Sequence, residues 1–124
     1  MSRILIVDDE TAMRDLLRIN LQEDGYEVFT AQTGEEALEL VQSAQPDIML
    51  LDLKLPGISG LDVLNNIIQT YGRLVMPILV MTASIIGEST TQLNNMGVSQ
   101  IINKPFLYDD VLHKLEKAMT ERNL

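Results

Sequence analysis

The fold is decided by residues 48–52, which read Ile48-Met49-Leu50-Leu51-Asp52: four consecutive apolar residues that end on a carboxylate. Strands without polar alternation are typical of a parallel sheet that helices cover on both faces. Four further apolar runs occur, at Ile4-Leu5-Ile6-Val7, Val28-Phe29, Ile78-Leu79-Val80-Met81 and Ile101-Ile102. We therefore expect five strands of a parallel sheet. Because Asp52 stands at the carboxyl end of its strand, we look for functional residues at that end of the other strands.

The segments between the runs carry apolar residues at helical spacing, so each is expected to place one face on the sheet. The predicted faces are Met13, Leu16, Leu17 and Leu21 in the first helix, Leu61, Leu64, Ile68 and Tyr71 in the third, and Val111, Leu112, Leu115, Ala118 and Met119 in the fifth. Thr33 and Glu36 have the spacing of a capping box at the start of the second helix. The fourth helix, Gly87 to Met96, has few large apolar residues, and we expect it to be the least firmly held.

Five β/α repeats predict a single-domain α/β fold, with a doubly wound, five-stranded parallel sheet between helices. The length of 124 residues fits one core, and the absence of cysteine excludes disulfides and cysteine–metal sites. A formal net charge of −9 disfavours direct nucleic-acid binding. Neither a signal peptide nor a membrane span is recognisable, so we expect a cytoplasmic protein without a membrane partner.

Polar residues follow four of the predicted strands. They are Asp8, Asp9 and Glu10 after the first, Asp52 after the third, Thr82, Ala83 and Ser84 after the fourth, and Asn103, Lys104 and Pro105 after the fifth. Ligands of open α/β sheets bind outside the carboxyl ends of the strands. The sequence therefore predicts that three carboxylates, a hydroxyl and an ammonium group converge at one edge.

This set of side chains suits a metal ion and a phosphoryl group. Asp8, Asp9 and Asp52 repel one another, and Mg²⁺, which prefers oxygen ligands, would relieve the repulsion. A carboxylate such as that of Asp52 can act as a nucleophile and form an aspartyl phosphate. Lys104 and Thr82 would then stabilise the phosphoryl oxygens. For Asp8-Asp9 taken alone, helix capping explains the pattern equally well, and it is the joint placement that favours the metal.

The same residues lie in four motifs that resemble the receiver domain of bacterial two-component response regulators. The motifs are residues 4–10, 50–60, 81–83 and 104–106, and the resemblance covers essentially residues 1–124. It implies one receiver domain with a flavodoxin-like, CheY-like fold. It further implies a signalling switch, not a turnover enzyme, that catalyses only its own phosphorylation and dephosphorylation. The phosphoryl group would come from a histidine kinase or a histidine phosphotransfer protein, and the switch would control an output partner or domain.

The resemblance assigns a role to each acidic residue of the site. Asp52 corresponds to the phosphoacceptor, Asp9 to a direct Mg²⁺ ligand, and Asp8 to a partner that often acts through water. The backbone carbonyl of Lys54 would complete the protein ligands of the metal. Gly57 fits the tight turn after the acceptor strand.

The resemblance also assigns the residues that contact the phosphoryl group. Thr82 corresponds to the switch hydroxyl, Ala83 offers a backbone N–H, and Lys104 corresponds to the phosphate-contacting lysine, usually followed by a cis peptide bond to proline. Ile101 stands where related domains often carry the aromatic half of the switch. We therefore interpret Ile101 as a strand core residue and expect the loop 83–87 and the fourth helix to carry the signal.

Further expectations concern the lifetime of the switch and its contacts. Lys54 and Ser84 flank the acceptor site without a carboxylate or amide to position water, which favours slow self-dephosphorylation. Met13, one turn past the acid pair, is a candidate for partner docking. Because residues 87–96 carry one charge, Glu88, we predict a monomer when the protein is unphosphorylated.

Three alternatives remain to be compared with the receiver interpretation. A flavin carrier would need a phosphate-binding loop after the first strand, where Asp8-Asp9-Glu10 would repel a phosphate. A phosphatase with a nucleophile at the first strand typically needs an Asp-x-Asp arrangement, whereas this chain has adjacent aspartates. A degenerate receiver that only binds partners would not need the complete set of site residues.

Overall fold

Five strands alternate with five helices in the computed structural model, which describes residues 2–83 and 87–122. The elements in chain order are β1 (Arg3–Val7), α1 (Thr11–Glu23), β2 (Glu27–Ala31), α2 (Gly34–Ser43), β3 (Ile48–Asp52), α3 (Gly60–Tyr71), β4 (Ile78–Thr82), α4 (Gly87–Met96), β5 (Gln100–Asn103) and α5 (Tyr108–Arg122). Each apolar run of the sequence lies within its predicted strand, so the predicted alternation is confirmed.

The strands form one parallel sheet in the order β2-β1-β3-β4-β5. Leu5 of β1 pairs with Phe29 on one side and Met49 on the other. The doubly wound sheet predicted from the sequence is thereby confirmed. The chain winds outward in opposite directions from β1 and β3, and in sheets of this kind the crevice at that switch point is where ligands bind.

Alternate residues of the central strands enter two separate apolar cores, one on each face of the sheet. Ile4 and Ile6 of β1 lie in the core that contains Leu17 of α1 and Leu115 of α5. Leu5 and Val7 lie in the other core, which α2, α3 and α4 cover with, among others, Val41, Ile67 and Leu93. Because β1, β3 and β4 are covered on both sides, their apolar residues are fully buried, as the unbroken runs predicted.

Two of the predicted helix faces need correction. In α1 the buried residues are Arg14, Leu17 and Leu21, whereas Leu16 is 48% exposed. These three lie at i, i+3 and i+7, and with 3.6 residues per turn Leu16 is rotated away from the sheet. In α3 the buried face is that of Gly60, Val63, Leu64 and Ile67, so Tyr71 is exposed, contrary to the prediction. The face of α5 is confirmed, with Val111, Leu115 and Ala118 buried and Leu112 and Met119 packed beside them.

The helix starts near the sheet edge are fixed by local hydrogen bonds. Thr33 is the N-cap of α2, and its hydroxyl accepts from the Glu36 N–H at 3.2 Å, which is one half of the predicted capping box. A complete capping box begins α3, between Ser59 and Asp62. Gly60 follows it so closely against β3 that a Cβ there would lie 2.5 Å from the Asp52 carbonyl oxygen. The α3 start is therefore pressed against the end of the strand that carries Asp52.

Candidate functional site

Three carboxylates meet at the switch point between β1 and β3. Asp8, Asp9 and Asp52 each offer an oxygen, and these oxygens lie within 4.8 Å of one another. Asp8 and Asp52 are buried and Asp9 is exposed to solvent. A cluster of oxygen ligands that is open to solvent at one member suits Mg²⁺, which keeps several waters and takes few protein ligands. The predicted convergence of these carboxylates is confirmed, and the cluster could hold a metal ion.

Asp8 is positioned by the sheet and by the start of α1. It follows β1 directly, and its backbone N–H donates to the Ala31 carbonyl at 3.2 Å, which extends the pairing with β2. One carboxylate oxygen accepts from the Glu10 N–H at 2.9 Å, and the other accepts from Lys104 Nζ at 2.8 Å. Each oxygen of the buried carboxylate therefore has a hydrogen-bond partner.

Asp52 is the last residue of β3, and it is held in a similar way. Its Oδ1 accepts from the Lys54 N–H at 3.1 Å, and its Oδ2 accepts from Lys104 Nζ at 3.0 Å. The cavity above it has a volume of about 260 Å³ and is lined by Asp9, Glu10, Asp52, Lys54, Ala83 and Lys104. A small tetrahedral group can therefore reach the carboxylate from this side.

Lys104 is the cation that joins the two buried carboxylates. Its side chain is only 13% exposed, and its ammonium group contacts both Asp8 and Asp52. Burial lowers the pKa of Lys104, but the hydrogen bonds and negative charges of Asp8 and Asp52 raise it by more, so the pKa lies above its usual value. The Lys104–Pro105 peptide bond is cis, as the family resemblance implied.

Thr82 and Ala83 stand at the end of the neighbouring strand. Thr82 closes β4, is buried, and its carbonyl accepts from the Lys104 N–H at 2.8 Å. Ala83 lines the cavity, whereas Thr82 is not among its lining residues. Ser84, on which the expectation of slow dephosphorylation partly rests, lies outside the described residues, as does most of the loop 83–87.

Ile101 lies in β5 opposite Val80, partly buried against the core that α4 covers. This agrees with its interpretation as a strand core residue. Gly57, in the turn between β3 and α3, has a φ of +74°, the conformation for which glycine was expected.

Arg14 is a site residue that the sequence analysis missed. Its side chain is buried beside the acidic cluster, and Nη1 donates to the Asp8 carbonyl oxygen at 2.7 Å. The available signal was its helical phase, because Arg14 precedes Leu17 by three residues and Leu21 by seven. A basic residue on the buried face of an amphipathic helix marks a polar group that needs a partner.

The fold and the site together define a receiver-type domain, in which clustered carboxylates and a lysine surround an aspartate at the switch point of a doubly wound sheet. The model of the response regulator receiver domain family matches residues 4–116, and the chain belongs to that family. The flavin-carrier and phosphatase alternatives are thereby set aside. Among the described residues, no helix is both long and apolar enough to cross a membrane.

The curated relatives of this chain include a transcriptional regulatory protein. It is 38% identical over 119 residues to the transcriptional regulatory protein KdpE of Mycobacterium tuberculosis, covering 96% of this chain and 51% of that protein. The chain thus spans about half the length of the curated relatives it matches.

Solved structures show the same fold over nearly the whole chain. A CheY-like receiver domain protein from Methanospirillum hungatei superposes with a TM-score of 0.90, at 31% identity, covering 99% of this chain and 97% of that one. The response regulator TrrA of Thermotoga maritima, solved in complex with Mg²⁺ and BeF, has a TM-score of 0.80 and 38% identity, covering 95% and 99%.

Proposed function

We propose that this receiver domain, residues 1–124, accepts a phosphoryl group on Asp52 from a phosphohistidine donor in a Mg²⁺-dependent reaction. The observation that carries the proposal is the bridge from Lys104 to the buried carboxylates of Asp8 and Asp52, with Asp9 beside them. The arrangement offers a nucleophile, a cation and oxygen ligands in one small cavity. The structure of TrrA with Mg²⁺ and BeF supports the same chemistry in a relative.

The oxygen ligands of the site fit Mg²⁺. The residues that would hold the metal are Asp8, Asp9, Asp52 and Lys54, the last through its backbone carbonyl. When bound, the metal would neutralise negative charge on the phosphoryl oxygens. Asp8 is buried and already hydrogen-bonded, which suits a role through water, whereas exposed Asp9 can bind the metal directly.

In the reaction, an oxygen of the Asp52 carboxylate attacks phosphorus and forms the new P–O bond. The P–N bond to the donor imidazole breaks, and the imidazole leaves with the electron pair, so the product is an aspartyl phosphate. Lys104 can donate to a phosphoryl oxygen once the charge of the Asp52 carboxylate is lost, because its ammonium group has three N–H donors on a flexible side chain. The Thr82 hydroxyl and the Ala83 N–H would donate to the remaining oxygens.

The donor is proposed to be a histidine kinase or a histidine phosphotransfer protein that docks beside α1. This helix begins next to the acid pair and exposes Leu16 and Ile19 on its outer side, while Met13 is only partly buried. Leu107, between β5 and α5, is the most exposed of the large apolar residues described. An exposed apolar helix face at the rim of the site suits contact with a helix of the donor.

Phosphorylation adds charge and acceptor oxygens next to Thr82 and Lys104. We propose that Thr82 moves toward the phosphoryl group and carries with it the loop 83–87 and α4, while Ile101 keeps its place in the core. The response then controls an output domain or partner from the α4 side, and the unphosphorylated domain is a monomer in the cytoplasm.

The experiment is phosphorylation with acetyl phosphate or a phosphorylated histidine donor in the presence of Mg²⁺. A base-labile adduct is expected on Asp52 and should disappear in Asp52→Asn and on addition of chelator. Asp47→Asn is the matched control, because Asp47 precedes the same strand at the opposite edge of the sheet. Label that maps to a serine, a threonine or His113 would contradict the proposal.

The metal is tested separately by thermal unfolding with Mg²⁺ and with chelator. A ligand that binds only the native state raises stability, by about 1.4 kcal/mol when it is present at tenfold its dissociation constant. The shift is expected in the wild type, reduced in Asp9→Asn and retained in Asp47→Asn. Equal shifts in all three proteins would argue against the site.

A further inference from the structure

We infer that Arg14 is a positioning residue that fixes the peptide between Asp8 and Asp9 and thereby holds the Asp9 carboxylate in place for a cation. The inference rests on the proposed Mg²⁺-dependent function, since it names a residue that acts on the same site without touching the metal. The contacts of Arg14 have no role in the proposed chemistry.

Arg14 is the one basic side chain among the buried polar residues of the described chain, and it is 9% exposed. Nη1 donates to the Asp8 carbonyl oxygen at 2.7 Å, and Nη2 donates to the Thr11 hydroxyl at 3.2 Å. Side chains of a helix tilt toward its N-terminus, so a residue in the first turn of α1 reaches back to the loop before it. The guanidinium thus ties the β1–α1 loop to the helix that follows.

The Asp8 carbonyl belongs to the same planar peptide unit as the N–H of Asp9. A short, charge-assisted hydrogen bond to that carbonyl therefore sets the plane from which the Asp9 side chain departs. The Asp8 carboxylate has anchors of its own in Lys104 and the Glu10 N–H. Asp9 is exposed, so its position depends more strongly on the backbone. Arg14 is accordingly expected to matter most for the carboxylate proposed as the direct metal ligand.

Charge and positioning predict opposite effects on cation binding. If Arg14 acted only as a positive charge near the cluster, its removal would tighten Mg²⁺ binding, because like charges repel. If Arg14 positions Asp9, its removal weakens binding, and groups that orient metal ligands typically account for about 10- to 100-fold in affinity. The sign of the change therefore separates the two roles.

The test is the Mg²⁺ dissociation constant, measured by isothermal titration calorimetry for the wild type, Arg14→Gln and Arg14→Lys. Both variants are expected to bind at least about tenfold more weakly. Lysine keeps the charge but lacks the rigid fork that reaches two acceptors. Arg18→Gln is the matched control, because Arg18 lies one turn further along α1, is only partly buried and pairs with Asp15 at 3.4 Å. Its affinity should equal that of the wild type.

Unfolding in chelator shows whether each variant is folded, and a purely structural role would lower the melting temperature without changing the affinity of the folded protein. If Arg14→Gln does not fold, Arg14→Lys decides. Wild-type affinity in folded Arg14→Lys, or tighter binding in Arg14→Gln, overturns the inference. Mg²⁺ binding that needs Asp9 but not Arg14 overturns this inference alone, whereas binding unaffected by Asp9→Asn, or no binding by the wild type, overturns the proposed function as well.

Discussion

The carboxyl ends and the amino ends of the strands, here called the carboxyl edge and the amino edge of the sheet, both carry a basic residue among carboxylates. The basic residue is buried at the carboxyl edge and exposed at the amino edge. At the carboxyl edge, Lys104 contacts two buried carboxylates at 2.8 and 3.0 Å. At the amino edge, Arg3 contacts the Glu27 carboxylate at 3.4 Å, with both side chains nearly half exposed. Arg3 also donates through its backbone N–H to Asp47 at 2.7 Å and through Nη1 to the Ala44 carbonyl at 2.8 Å.

The difference shows that the contribution of an ion pair to stability depends on its burial. An exposed ion pair gains little, because water and salt screen both charges whether or not they meet. Buried charges have lost their hydration, so each depends on the partner that remains. The amino edge joins elements through bonds that water can replace. At the carboxyl edge, three clustered carboxylates outnumber the one buried ammonium group of Lys104, so the cluster could hold a metal ion.

The largest expected effect comes from removing the buried cation. Lys104→Met should destabilise the protein by about 3–5 kcal/mol in chelator at neutral pH, because Asp8 and Asp52 are left facing each other without compensation. Urea unfolding monitored by circular dichroism measures the change. Mg²⁺ should restore more stability to this variant than it adds to the wild type. A loss below about 1 kcal/mol would place Lys104 in the same class as Arg3.

A smaller effect is expected at alkaline pH. The pKa of Lys104 is raised above its usual 10.5, so its contribution is fully present below that pH and is lost as the pH rises through the folded pKa. The stability difference between wild type and Lys104→Met should therefore shrink above about pH 10.5. Urea midpoints at a series of pH values test this, with constant ionic strength.

Two tyrosines also affect the stability of the protein at alkaline pH. Burial raises the pKa values of Tyr26 and Tyr108, and for Tyr108 the hydrogen bond to Asp24 adds to the effect. Because both pKa values are raised in the folded protein, the contribution of each tyrosine to the free energy of unfolding also falls as the pH rises. Arg3→Met keeps all three groups and should follow the wild-type curve. A constant gap between wild type and Lys104→Met across this range would show that the Lys104 pKa is not raised.

The smallest effect is expected at the amino edge. Arg3→Met should cost about 1 kcal/mol or less, because its ion pair with Glu27 is exposed and water can take the place of the guanidinium. Added salt should reduce even this difference, since exposed charges are screened at physiological ionic strength. The measurement is the urea midpoint at low and at high salt. A salt-independent loss of several kcal/mol would remove the contrast between the edges.

The strands and the site could both be predicted from the same feature of the sequence, the unbroken apolar run. An unbroken apolar run marks a strand covered on both faces, and in a parallel sheet all such runs end at the same edge. Asp8, Asp52 and Lys104 are distant in the chain, yet each is the first or second polar position at the end of its strand. Topology therefore brought them together without any knowledge of loop conformation.

Helix faces were less predictable, because neighbouring apolar residues leave the helical phase ambiguous. In α1, Leu16 and Leu17 both suit a core position, and the placement of Arg14 on the buried face decides between them. A rule that keeps arginine out of the core selects the wrong phase. The buried carbonyl of Asp8, which supplies the reason for the arginine, becomes visible only in three dimensions. The weak hold of α4 and the roles of Thr82 and Lys54 stay predictions.

The close approach of Gly60 to β3 limits which sequences this domain can tolerate. Any side chain at position 60 would collide with the Asp52 carbonyl at 2.5 Å and the Leu53 Cα at 2.7 Å, and neither backbone atom can swing aside. Gly72 offers the contrast, because nothing lies within 4 Å of a Cβ there and only its φ of +86° disfavours replacement. Random substitution should therefore be tolerated at position 72 far more often than at position 60. A library randomised at both positions would retain glycine at 60 almost without exception, although the α3 backbone there is ordinary helix.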